Sequence, residues 1–156
     1  MKNLSLTSYI LQANTGFTVL ELVVVLGLIG LLGMIAMPTY NQMRNNVALT
    51  QYSNTLIDVL RTAQNQSMVS HGGVTHGVHL AADGNSFVLF GNTWASPVGP
   101  VTFKLGNGVK IISPVNTDIV FNRLTGAVAA NTVTIGFPSG QQKTITIAAL
   151  GAVTAN

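Results

Sequence analysis

The sequence predicts an α+β protein, a long N-terminal helix followed by an antiparallel β-sheet, on three observations. Residues 22–37 carry no polar side chain. Apolar residues then recur at helical spacing from Val47 to Ala63. After Gly72-Gly73 the pattern changes to short runs punctuated by Asp83-Gly84-Asn85, Gly106-Asn107-Gly108 and Pro138-Ser139-Gly140. A helix followed by strands without further helices implies one helix face packed on a sheet.

Composition narrows the class. Charged residues are 7% of the 156, against about 25% in an ordinary soluble domain. With 47% hydrophobic residues and a mean hydropathy of +0.46, the chain reads as membrane-associated or densely assembled. The pI of 9.6 reflects only seven Lys and Arg against four acids. A net charge of +3 without a basic run does not argue for nucleic-acid binding. The absence of cysteine excludes disulfides, thiol catalysis and Cys-based metal sites.

Residues 1–15 carry one charge, Lys2, and precede the apolar block. A secretory signal peptide is cut after its apolar region. Here the sharpest discontinuity, Gly16-Phe17, lies before it. The stretch 17–37 approaches the roughly 20 residues a helix needs to span hydrocarbon. Glu21 is its anomaly, because an ionisable group at mid-membrane costs about 2.5–3.5 kcal/mol. Gly27, Gly30 and Gly33 recur every third position, each costing about 1 kcal/mol of helix propensity relative to Ala. Such residues let membrane helices approach closely, although glycine is common in membrane helices in any case.

Pro38 is expected to kink the helix or interrupt its hydrogen bonding. Polar Asn41, Gln42, Arg44, Asn45 and Asn46 follow. Val47, Tyr52, Leu56, Val59, Leu60 and Ala63 then make one apolar stripe of an amphipathic helix ending near Met68. A continuous helix over 17–68 would be about 78 Å long, and only its second half can pack on a small domain. The first half requires lipid or other subunits.

Strands are expected at 74–80 and 86–90, at 101–105 and 109–112, and at 132–137 and 143–148, each pair forming a hairpin, with a short strand at 119–121. Residues 91–100 and 122–131 read as loops and 149–156 as a tail. Trp94, with Pro97 and Pro100, is expected to anchor a surface loop.

Little points to catalysis. On a strand over 74–80, His76 and His79 face opposite sides and His71 sits in the preceding turn, so exposed histidines are expected rather than a metal site. Asp58, Asp83 and Asp118 are isolated in sequence. Asp83-Gly84-Asn85 has too few oxygen ligands for a calcium loop. The Gly27–Gly30–Gly33 spacing does not match a dinucleotide fingerprint, and no Gly-x-Ser-x-Gly or phosphate loop occurs. No enzyme activity, cofactor or metal is expected.

Gly16-Phe17-Thr18, Glu21 and the Pro38 that closes the apolar helix resemble the processing motif of type IV pilins and pseudopilins. The resemblance implies a leader over 1–16, an assembly and transmembrane helix over 17–38, and a head over 39–156. It implies that a prepilin peptidase cleaves between Gly16 and Phe17 and methylates the Phe17 amine. Glu21 would then pair with the terminal amine of a neighbouring subunit, a choice a buried carboxylate enforces because it is costly unpaired. Thr18 and Pro38 belong to the same assembly motif. Further implied partners are other pilin or pseudopilin subunits, an inner-membrane assembly platform, and membrane lipid before assembly.

The family usually has Lys or Arg close before the Gly, whereas Gln12-Ala13-Asn14-Thr15 is uncharged. With Lys2 opposed by Arg44 and Arg61, orientation rests on the motif rather than on charge. The implied location is the inner membrane, single-pass with the head outside the cytoplasm, and then the fibre.

The segment 56–68 with the strand after it, the run 120–126, and Ile145-Thr146-Ile147 with Leu150-Gly151 resemble GspH/FimT-type minor pseudopilins. DNA-binding members of that group carry Gly-Arg-x-Arg near the C-terminus. The corresponding stretch here is Gly151-Ala152-Val153-Thr154, without either arginine. Phosphate contacts supply much of DNA affinity, so this departure argues against DNA binding by the subunit. The leading expectation is a minor subunit of a type IV pilus or type II secretion pseudopilus. The alternatives are a major or adhesive pilin, or a membrane-anchored binding domain that does not polymerise.

Overall fold

The computed structural model describes residues 16–138 and 140–155, and of residues 35–39 the backbone alone. The chain divides after Tyr40 into an N-terminal unit and a head over 41–156. One helix, α1 (Val19–Met68), contributes to both. Its start is capped: Thr18 Oγ1 accepts a hydrogen bond from the Glu21 backbone N–H at 3.2 Å, satisfying one of the amides that a helix start leaves without a partner. Position 38 lies inside the helix. The expected interruption therefore does not end the element, since one missing donor is a small defect in a long cooperative ladder. The Pro38 side chain lies outside the described residues.

In the N-terminal unit the apolar side chains are turned out. Phe17 is 80% exposed, and Val19, Leu20, Leu22 through Leu26, Leu28, Ile29, Leu31, Leu32 and Met34 are exposed with it. Among the described residues no helix is long and apolar enough to cross a membrane. The expected span of 17–38 counts residues 35–38, whose side chains are not described.

In the head, α1 buries Ala48, Leu49, Leu56, Ile57, Val59, Leu60 and Ala63. Val47, expected on this stripe, is exposed; Ala48 and Leu49 take its place, one step round the helix. The helix ends as expected, after Met68. Ser70 adopts a left-handed conformation (φ 52°), and a single 3-10 turn, His71–Gly73, follows with Gly72 and Gly73 both at positive φ.

Eight strands follow: β1 (His76–Leu80), β2 (Ser86–Thr93), β3 (Ser96–Lys104), β4 (Lys110–Ser113), β5 (Thr117–Phe121), β6 (Asn131–Gly136), β7 (Gln142–Ile147) and β8 (Val153–Ala155). They form two antiparallel four-stranded sheets, ordered β3-β2-β1-β5 and β4-β6-β7-β8, rather than one. Val78, Leu80, Phe87, Ile119 and Phe121 from the first sheet share a core with Ile111, Val133, Ile135, Ile145, Ile147 and Val153 from the second and with the helix.

The hairpins around residues 81–85 and 137–141 form as expected. The middle one does not. β3 pairs with β2 and β4 with β6, so Gly106-Asn107-Gly108 carries the chain from one sheet to the other. Residues 91–100, expected as a loop, continue β2 and β3, with Gly91 opposite Val98 and Thr93 opposite Ser96. Pro97 and Pro100 are tolerated because β3 is an edge strand. The tail also contributes β8, paired with β7.

The two sheets meet at a turn. The Ile111 N–H donates to the Gly84 carbonyl at 2.8 Å. Gly84 has φ 66°, and a Cβ there would lie 2.5 Å from the Ile111 carbonyl oxygen. The turn that closes the first hairpin thus also docks the second sheet.

Candidate functional site

The candidate assembly site is the exposed start of α1. Gly16 and Phe17 precede the helix and are exposed. Thr18 caps it, and Glu21 stands in its first turn, also exposed. This is the cap half of a Thr-x-x-Glu capping pattern, in which the acid also lies favourably in the helix dipole field. The spacing of Thr18 and Glu21 therefore has a local physical reason besides any role between subunits. Gly27, Gly30 and Gly33 each have open space where a Cβ would stand. No packing within the described chain requires them to be glycine. Of the leader expected over 1–16, residues 1–15 lie outside the described residues.

The histidines differ from expectation. His76 and His79 are buried, at 7% and 6% exposure, where exposed residues were expected. Both faces of β1 are covered, one by α1 and the other by the tip of the β2–β3 hairpin. On the helix side, the Ser67 hydroxyl pins the start of β1: it accepts from the His76 N–H at 2.8 Å and donates to the His76 carbonyl at 3.2 Å. Burial, and then repulsion from His71, lower the His76 pKa below the usual 6.5.

On the other face, the His79 Nδ1–H donates to Asp118 Oδ1 at 2.6 Å. Asp118 is thus not isolated: the pairing of β1 with β5 sets it directly opposite His79. Trp94 stacks on the His79 ring, with centroids 3.8 Å apart and planes within 6°, and meets Phe90 edge-on at 5.7 Å. Trp94 therefore covers the sheet rather than anchoring a surface loop. None of these partnerships has a local sequence signal, because His79 and Asp118 are separated by 39 positions and only strand register joins them.

Asp83 sits in its turn as expected. Its carboxylate accepts from the Asn85 backbone N–H at 3.0 Å and from the Asn85 side chain at 3.1 Å. These bonds lower its pKa, the backbone one most.

No protein-family model matches the chain, and no curated protein is significantly similar to it in sequence. Among solved structures, it is similar to the minor pseudopilin EpsH from the type 2 secretion system of Vibrio cholerae. The TM-score is 0.54 at 17% identity, covering 69% of this chain and 95% of that one. The fold is a pseudopilin fold. At that identity the likeness is one of architecture, a helix leading into antiparallel sheets.

The head closes at Gly151-Ala152-Val153-Thr154. Gly151 has φ 85° and packs so tightly that a Cβ would strike the Gln64 side chain and the Gly126 carbonyl. Its glycine is required by backbone packing. Ala152 and Thr154, where the resemblance would place arginines, are exposed and uncharged. The Arg61 guanidinium donates to the Val153 carbonyl at 3.3 Å, so one nearby cation is engaged in holding β8 to the helix.

Proposed function

We propose that the chain is a structural subunit of a type II secretion pseudopilus or related type IV pilus, built into the fibre through its N-terminal helix. The reading rests on one combination: a pseudopilin-like head attached to a helix whose start exposes Val19 and Leu20, with Phe17 exposed just before it, around a single acid, Glu21. Exposed apolar surface of this extent has a free-energy cost in water, at roughly 25 cal/mol per Å², that lipid or neighbouring helices would remove.

In this reading a prepilin peptidase cuts between Gly16 and Phe17 and methylates Phe17. The segment 17–38 holds the subunit in the inner membrane, with the head outside the cytoplasm, until an assembly platform passes it into the fibre. The new terminal amine is a cation placed close to Glu21 of the next subunit, so the carboxylate selects the axial register in which it is paired. Thr18 contributes by capping the helix beneath that contact. The role is structural rather than catalytic.

Mass spectrometry of the mature N-terminus tests the first step. A terminus at methylated Phe17 is expected; a mature chain beginning at Met1, or one cut after Ala36, overturns the proposal.

A further inference from the structure

Between the end of α1 and the β2–β3 ribbon lies a cavity of about 180 Å³, lined by Gln66, His71, His76, Gly91, Val98 and neighbouring apolar residues. Two imidazoles meet at it, with ring centroids 5.9 Å apart and planes inclined by 46°. The inner ring is held firmly. The His76 backbone is bonded on both sides to Ser67 Oγ, and its Nε2 lies against Gly91, where a Cβ would stand 3.4 Å away. Its Nδ1 is buried and has no hydrogen-bond partner among the described residues. A buried nitrogen without a partner is destabilising, and native proteins normally supply such an atom with a water or an ion.

We propose that His71 and His76 form a two-imidazole site for a divalent transition metal ion of the zinc type, the remaining ligand positions being filled by water. Zinc binds imidazole nitrogen at about 2.0–2.1 Å, which places two ligating rings with their centres roughly 5 Å apart at a tetrahedral angle. His71 is exposed on the 3-10 turn and can close the remaining gap without disturbing the core. Imidazole donors favour zinc, copper or nickel over magnesium or calcium, which take oxygen ligands. The lowered pKa of His76 keeps its ring neutral near pH 7, as ligation requires. Among the described residues no third His, Cys, Asp or Glu completes a metal cluster, so binding is exchangeable rather than permanent. Strand alternation gives no sign of the pair, because the partner of His76 comes from the turn before the strand.

The test uses the full chain in detergent micelles, stripped with chelator and titrated with ZnCl₂ alone. Calorimetry should give one ion per chain, with the His76 imidazole nitrogen resonances shifting on binding. His71→Ala and His76→Gln should each weaken binding at least about tenfold, while Asp83→Asn leaves it unchanged. His71 is exposed, so its replacement keeps the test valid if His76→Gln does not fold. No binding at millimolar Zn²⁺, or a loss of less than tenfold in His71→Ala, overturns the proposal. Because the test reads the head alone, it is independent of processing at Gly16.

Discussion

At the scale of single residues, Glu21 can act in two ways that a substitution can separate. Its backbone N–H takes the Thr18 cap, whatever its side chain, while its carboxylate adds charge in the first helical turn. Glu21→Gln keeps the cap and removes only the charge. Circular dichroism should show unchanged helicity and membrane insertion should persist, whereas incorporation into fibres should be lost; normal incorporation would refute the register role. Gly30→Ala should stabilise the isolated helix by up to about 1 kcal/mol, since nothing surrounds its Cβ position. If the glycines serve close helix approach, the same change should lower fibre yield, measured on sheared material.

His76 gives a pH dependence with a definite sign. Its folded pKa lies below 6.5, so at pH values between the two the unfolded chain binds a proton that the folded chain does not. Stability should hold steady above that range and fall as pH drops below 6.5 towards the folded value. Repulsion from His71 is the second cause of the shift, so His71→Ala in chelator should make the acid-side fall in Tm shallower.

At the scale of elements, α1 is held to the sheets by an apolar stripe on which Leu56 and Leu60 are fully buried. Leu60→Ala should cost about 2–5 kcal/mol, read by urea unfolding, because it removes contacts and leaves a cavity between helix and both sheets. The helix itself was legible in sequence because its signals are local: an unbroken apolar run, an apolar period of 3.6, and a Gly-Gly stop. The strands were legible one by one, but their partners were not. Gly106-Asn107-Gly108 has the chemistry of a tight hairpin, yet Val101 pairs with Leu89 and Ile111 with Ile135. A turn sequence specifies how the backbone reverses, and burial then decides which edge each strand joins.

At the scale of the whole molecule, an exposed apolar helix start is joined to a head with few charges. The head offers exposed but uncharged positions at Ala152 and Thr154, so the full chain in detergent should bind duplex DNA negligibly by fluorescence anisotropy even at low salt. Affinity with a steep salt dependence would assign it a role in DNA capture instead.

The sequence by itself determined the α+β class and the helix with its end, because these depend on neighbours within a few positions. Only tertiary structure decided the division into two sheets, the continuation of 91–100 as paired strand, the burial of His79 between Asp118 and Trp94, and the meeting of His71 with His76. Those outcomes depend on strand register and on competition for one hydrophobic core. Both are properties of the folded chain and not of any short stretch within it.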